Sequence, residues 1–337
     1  MNNKISKRRL SDFLAYEWIK IVLVCVVAII VWELLYSIGS VKLTVGQKFK
    51  YYFDVNVYGE NQAVNELYDN GKVLSYDVLD FSGEQLSSGT FTLPTRLYVQ
   101  EGDILITDCR ERAASEDGAK PQVRAKTTLD NYYGYSYEKL LLDAQNYLYN
   151  NFMVDQLDFE QAFSKYDQNN FDDEKIESVF RQRMKKDNRF RKEADIQDGI
   201  VSEKERICAL YREVLDFAKL LSYKETNPEL FFNYTLYEQS LETADEEYKD
   251  YFQNLYDAEV AAGRVNHIYA LKVGELTKHN PNGTKTNPSK YFTMMDSSTA
   301  DDVCITVFDF NSYQPHLQYE TITFINAIVR DCSNLLD

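Results

Sequence analysis

The sequence predicts an α/β protein in which one N-terminal membrane-spanning helix precedes a larger outer portion. Three observations point there. A run of apolar residues extends from Ile21 to Val41 behind a basic N-terminus. Short β-branched and aromatic segments occur before residue 110 and again after residue 265. Between them, apolar residues recur at the spacing of amphipathic helices.

No charged residue occurs from Ile21 to Trp32, and Glu33 alone interrupts the run before Val41. About 20 helical residues cross a hydrocarbon layer of roughly 30 Å. Trp18, Trp32 and Tyr36 stand near the two ends, where interfacial aromatics belong, and Lys20 can snorkel. Lys4, Lys7, Arg8 and Arg9 outweigh Asp12 and Glu17, so the positive-inside rule places residues 1–20 in the cytoplasm and residues 42–337 outside the cell membrane. A cleaved signal peptide is an alternative, with Ser37-Ile38-Gly39 as its exit, although Glu33 lies between that exit and the apolar centre. A lipoprotein is not expected, since Cys25 follows Val24 in the middle of the run. A buried helix of a soluble protein is the third alternative.

The chain carries −16, and its first twenty residues carry +3 (five basic against two acidic side chains), which leaves −19 beyond them. Such an acidic outer portion argues against nucleic acid or an anionic membrane face as its main partner. Its length suffices for a substantial core. Cysteines occur at 25, 109, 208, 304 and 332, without a CxxC pair. The four outer ones fit neither a zinc site nor a dense disulfide framework, and their spacing selects no pairing. Both Trp residues belong to the apolar helix, so a sugar ligand would have to stack on Tyr or Phe.

Phe49–Val57 alternates in the manner of a strand and is broken at Tyr58-Gly59-Glu60-Asn61. Ala63, Val64 and Leu67 form a short helical face that stops at Asn70-Gly71. Val73–Leu79 reads as a second strand, and Ser82-Gly83 with Ser87-Ser88-Gly89 as a loop. Gly102-Asp103 leads into Ile104-Leu105-Ile106, apolar on both faces as a central parallel strand is. This order suggests a wound α/β unit over residues 42–126, with residues 110–126 as loop or hinge.

Residues 127–263 read as mostly helical. Tyr137, Leu140, Leu141, Ala144, Tyr147 and Leu148 make one stripe. Asp172-Asp173-Glu174 places acids at the start of a helix bearing Ile176, Val179, Phe180 and Met184. Ser202-x-x-Glu205 is a capping-box pattern ahead of Ile207, Leu210, Tyr211 and Val214. Asn227-Pro228 looks like another helix start, and Thr243-x-x-Glu246 caps a helix carrying Tyr248, Tyr251, Phe252, Leu255, Tyr256 and Val260 up to Gly263. Residues 264–337 return to mixed structure: a strand at His267–Val273, an exposed loop at Thr277–Lys290, a strand at Val303–Phe310 and a helix at Leu317–Val329.

No GxSxG, HExxH, GxxxxGK[ST] or GxGxxG occurs, and the Asp167-x-Asn169 segment fails as a calcium loop at Asp172 and Ser178. With three histidines, at 267, 279 and 316, and no nucleophile–base set, the reading is a protein that is not an enzyme and needs no metal or cofactor. One local feature stands against the acidic background. Arg181, Arg183, Lys185, Lys186, Arg189, Arg191 and Lys192 fall within twelve residues. They form either a solvated face paired with nearby acids, as Glu177 with Arg181, or a salt-sensitive patch for an anionic partner such as lipid headgroups or an acidic wall polymer.

The order of Phe49–Val57, Ala63–Asn70, Val73–Leu79 and Gly102-Asp103-Ile104-Leu105-Ile106 resembles the opening of bacterial extracellular solute-binding proteins of the type 2 periplasmic-binding fold. The helical middle, the late strands and the closing helix are similar to that family's order as well. The resemblance implies a two-lobed domain with a largely helical second lobe, tethered to the membrane and capturing a small solute or peptide for a transporter or sensor. Ligand would then sit outside the carboxyl ends of the parallel strands, which implies Tyr58, Asn61 and Asp108 as its contacts. The spanning helix in place of a lipobox, and the modest length, depart from the family. They keep open a non-catalytic envelope interaction protein on the same fold.

Overall fold

The computed structural model describes residues 7–39, 48–69, 80–86, 92–99, 102–112, 121–132, 134–185, 187–308 and 315–337. The chain divides into two units, Met1–Leu43 and Thr44–Asp337. The described residues of the first form a single helix, α1 (Lys7–Gly39), free of Pro and of Gly until its last residue. Within it, Trp18–Tyr36 is long and apolar enough to cross a membrane. Every side chain in that stretch is exposed, the reverse of a soluble core helix.

In the second unit the chain runs β1 (Lys48–Phe53), β2 (Val57–Gly59), α2 (Asn61–Asp69), β3 (Asp80–Gln85), α3 (Thr92–Tyr98), β4 (Ile104–Asp108), β5 (Glu111–Arg112), β6 (Gln122–Val123) and α4 (Arg124–Tyr132). It continues through α5 (Tyr137–Phe152), α6 (Phe159–Ser164), α7 (Asp173–Met184), α8 (Glu193–Ser222), β7 (Phe231–Tyr234), α9 (Glu238–Thr243) and α10 (Glu246–Ala261). It closes with β8 (His267–Lys272), β9 (Phe292–Met294), β10 (Val303–Val307) and α11 (Pro315–Cys332).

Six strands form one mixed sheet in the order β3-β1-β4-β10-β8-β7. β1 is parallel to both β3 and β4, while β10 is antiparallel to β4 and β8, and β7 to β8. Period-2 alternation sorts the core. Phe49, Tyr51, Phe53, Ile104, Ile106, Val303 and Ile305 turn to one face, where they meet α2, α5, α8 and α11. Tyr52 and Leu105 turn to the other, with Leu86, Phe308 and Leu93 of α3. Since α2 and α3 cover opposite faces, the opening unit is wound on both sides.

The expected elements and the observed ones differ at informative places. The first strand ends at Phe53 rather than Val57, because the chain turns at Val55-Asn56 and leaves the sheet as β2 to pair with β9. Val73–Leu79 lies outside the described residues. The strand that pairs with β1 is Asp80–Gln85 and includes Ser82-Gly83, read from sequence as a loop. Gly83 is needed there: a Cβ would fall 2.1 Å from the Tyr51 ring. The expected loop at 110–126 holds the β5–β6 ladder and the start of α4.

Ser202 does not begin a helix. α8 starts nine residues earlier, and Ser202 Oγ donates within it to the Asp198 carbonyl at 3.1 Å. After Asn227-Pro228 a single 3₁₀ turn leads to β7, an edge strand that helical spacing gave no sign of. Asp245 rather than Thr243 precedes α10, and Thr243 instead ends α9 by bonding the Gln239 carbonyl. On α10, Phe252, Leu255 and Tyr256 pack inward, whereas Tyr248, Tyr251 and Val260 are exposed. The expected loop Thr277–Lys290 begins inside one 3₁₀ turn, Gly274–His279, and ends with another, Pro288–Lys290. Residues 127–263 do not stand apart from the sheet: they supply its edge strand β7 and two helices, α5 and α8, of its main apolar layer.

Candidate functional site

From β1 the chain passes through α2 to β3 on one side, then returns through α3 to β4 on the other. The strand order therefore reverses between β1 and β4. Open α/β sheets place ligands outside the carboxyl ends of their strands at such a point. Two polar groups occupy that edge.

The first centres on Asp54, directly after β1 and buried. Its Oδ2 accepts from Thr107 Oγ1 on β4 at 2.9 Å and from Arg124 Nε, at the first residue of α4, at 2.6 Å. Gln85, the last residue of β3, donates from Nε2 to the carbonyls of Asp54 (2.8 Å) and Val57 (3.0 Å). Gln85 Oε1 is buried without a partner among the described residues. A buried carboxylate is tolerated when it is paired and hydrogen-bonded, which these donors accomplish.

The second centres on Asp108, the last residue of β4 and fully buried. Its Oδ1 accepts the Arg110 backbone N–H at 2.8 Å, and its Oδ2 lies 3.3 Å from Arg110 Nη2. Arg110 also grips Asp296 through two parallel bonds of 3.2 and 2.9 Å, and its Nε is 3.8 Å from Asp302. The guanidinium holds the Asp296 carboxyl below its ordinary range. Partial burial pushes Asp302 up, against the pull of Arg110. Arg110 and Arg124 each remain about one-third exposed, at 32 % and 35 %, with their buried carboxylates behind them. The edge thus offers oriented guanidinium N–H groups and carboxylate oxygens, suited to polar recognition.

The three residues implied by the family resemblance have separate environments. Tyr58 is 51 % exposed on β2, opposite Thr293 of β9. Asn61 opens α2 beside β3, its Oδ1 2.7 Å from where a Cβ on Gly83 would stand. Asp108 is committed to Arg110. Of the three, Asp108 alone belongs to the switch-point groups. Asp54, Thr107, Arg110, Arg124 and Asp296 were not singled out by the sequence. An acid directly following an apolar strand was the one signal for Asp54, whereas Arg124 and Asp296 come from distant chain.

In the basic run, pairing within the chain accounts for three arginines. Arg181 bonds Glu177 (2.7 Å) and Glu193 (2.6 Å), Arg183 reaches the buried Glu203 (2.9 Å), and Arg189 pairs with Asp187 (2.7 Å) while lying over the Phe190 ring. Arg191 bonds Asn188, Lys185 follows the end of α7, and Lys192 precedes α8. Lys186 lies outside the described residues. Burial raises the Glu203 pKa, but Arg206 and Arg183 outweigh it and leave the group below its ordinary value. Among the described residues no group of three or more His, Cys, Asp or Glu side chains gathers as for a metal ion.

Comparison with protein-family models, with characterised proteins and with solved structures finds no match to this chain.

Proposed function

We propose that this chain is a membrane-tethered extracytoplasmic binding domain, a divergent relative of bacterial solute-binding proteins that captures a small solute or peptide for a membrane transporter or sensor. In this reading α1 is an uncleaved anchor with its N-terminus in the cytoplasm. The observation that carries the reading is the switch point between β1 and β4, where Asp54, Thr107 and Arg124 meet beside Asp108 and Arg110. A two-lobed form would take the mostly helical residues 127–263 as its second lobe, in which α7 and the first half of α8 pack together. These enclose a separate apolar cluster of Phe180, Met184, Ile196 and Ile200.

The test is thermal unfolding of the full-length protein in detergent against sugars, amino acids, short peptides and metal ions. A ligand at about 100 times its Kd adds roughly 2.7 kcal/mol of stability. A selective rise in midpoint that disappears in Arg124→Ala supports the reading and names the solute class. An unchanged midpoint across the panel overturns it.

A second reading, a non-catalytic envelope interaction protein, is favoured by the internal neutralisation of the same edge. Asp54 and Asp108 already have Arg124 and Arg110 as partners within the chain. Chemical cross-linking in membranes, followed by identification of captured proteins, tests this second reading directly.

A further inference from the structure

Cys109 and Cys304 come together where β4 meets β10. The register places Cys304 opposite Thr107. One residue beyond β4, the Cys109 N–H donates to the Asp302 carbonyl at 2.9 Å, so Cys109 prolongs the ladder opposite Asp302. Residues two apart on a strand share a face, which puts Cys109 and Cys304 on the same side as diagonal neighbours. Both belong to the apolar layer that includes Ala125 and Leu129 of α4. Cys109 is among the neighbours that raise the Cys304 pKa, after burial. Cys304 is fully buried, and Cys109 is partly exposed with its Sγ 3.1 Å from the Asp302 carbonyl.

We infer that Cys109 and Cys304 are a reversible dithiol pair, closed to a cross-strand disulfide by exchange with a disulfide oxidant. The partly exposed Cys109 loses its proton and attacks one sulfur of the oxidant's S–S bond, which breaks and releases one thiolate. Cys304 then attacks the Cys109 sulfur of this mixed disulfide and expels the second thiolate. Two electrons pass to the oxidant, which leaves as two thiols carrying the two protons, and one S–S bond forms in the protein. Burial pushes the Cys304 thiol well above its ordinary value, which suits it to the second step rather than the first.

Diagonal neighbours across an antiparallel pair stand about 7–8 Å apart. Relaxed disulfides span about 4.4–6.8 Å between Cα atoms, so the bond is of the strained, readily reduced kind. Cys109 lies past the last residue of β4, where the chain has room to close that difference. Cys332, by contrast, is buried in the opposite apolar layer. Closure would clamp β4 to β10 beside the Asp108–Arg110 pair. The pair stands independently of which side of the membrane the domain faces.

The full-length protein in detergent is equilibrated with graded ratios of reduced and oxidised glutathione, denatured with an alkylating reagent, digested and mapped by mass. The expected result is a linked 109–304 peptide, lighter by two hydrogens, that grows with the oxidised fraction and is lost in dithiothreitol without denaturant. Cys304→Ser should instead accumulate a glutathione adduct on Cys109. Wild-type mapping decides the matter without relying on the variant. Alkylation of both cysteines at every ratio, or a lasting glutathione adduct on wild-type Cys109 with Cys304 free, overturns the inference.

Discussion

Arg124 Nε lies 2.6 Å from Asp54 Oδ2 and ties the start of α4 to the end of β1, a separation of 70 residues. The bond joins an accessible cation to a buried anion, so the two partners are not equivalent on deletion. Arg124→Ala leaves a carboxylate in the interior with donors from Thr107 and Asn56. We expect a loss of about 1–3 kcal/mol, below the range for fully buried pairs because Arg124 is partly solvated. Asp54→Asn combined with Arg124→Ala should recover part of it, since a neutral amide needs no counter-charge. Urea unfolding of the full chain measures both, and an Arg124→Ala midpoint equal to wild type would refute the assignment.

Glu203, about a third of the way along α8, accepts from Arg206 at 2.7 and 2.6 Å and from Arg183 at 2.9 Å. Its pKa is lower folded than the ordinary 4.5, so the unfolded chain binds more protons below that value. Its contribution is therefore complete above about pH 4.5 and is lost as pH falls through the folded pKa. Glu203→Gln should cost about 2–4 kcal/mol at pH 7, because Arg206 stays buried without a charge to meet. The same variant should show a shallower loss of stability in acid. Parallel acid limbs for variant and wild type would count against the buried triad.

Legibility of the fold tracked how far each element depends on distant chain. Ile104–Ile106 and Val303–Val307 are short apolar runs, and they form neighbouring central strands. The stripe Ile176, Phe180, Met184 is buried as helical spacing predicts. β3 was not visible, because Asp80–Gln85 carries little apolar pattern and exists through pairing with β1. The Ser202-x-x-Glu205 pattern misled, since nothing local breaks α8 before it and the hydroxyl bonds back into the helix. For the site, Asp108 was reachable from topology alone. Arg110, which pairs with Asp108, also bonds Asp296, 186 residues away, a relation no local spacing encodes.

Asp130 on α4 presents the opposite pH behaviour. Burial raises its pKa above the ordinary 3.8, although Ser240, Tyr237 and Tyr234 all donate to it. The folded protein then binds more protons than the unfolded chain, so stability falls as pH rises from about 3.8 through the folded value. Asp130→Asn should remove that fall and gain on wild type between pH 4 and 7. Asp130→Ala should instead cost about 1–3 kcal/mol, since the Tyr237 N–H loses its acceptor. Urea midpoints across this pH range read both effects, and a constant gap between Asp130→Asn and wild type would remove the linkage.

Gly274 and Gly283 separate close approach from backbone strain. A Cβ at 274 would meet the Ala300 carbonyl oxygen at 2.7 Å and Asp301 Cα at 2.6 Å, both main-chain atoms just ahead of β10. Gly283 has φ +62° and open space around it. Gly283→Ala should therefore cost only the left-handed penalty of about 1–2 kcal/mol. Gly274→Ala must displace backbone and should cost more, about 2–4 kcal/mol. The comparison is made by thermal unfolding of both variants, and equal shifts would mean that the turn before β10 yields freely.

The apolar helix supplies the last expectation. Roughly ten Val, Ile and Leu residues near its centre each favour insertion by about 0.3–0.6 kcal/mol, and one central Lys opposes it by about 2.5–3.5 kcal/mol. A single Lys at Val27 leaves the balance close to even. Val27→Lys with Ile30→Lys doubles the penalty and exceeds what the remaining run supplies. The double variant should therefore pass from the membrane pellet to the supernatant on alkaline extraction, whereas Val27→Leu should stay in the pellet. Retention of the double variant would mean that something other than the Trp18–Tyr36 run holds the chain to the membrane.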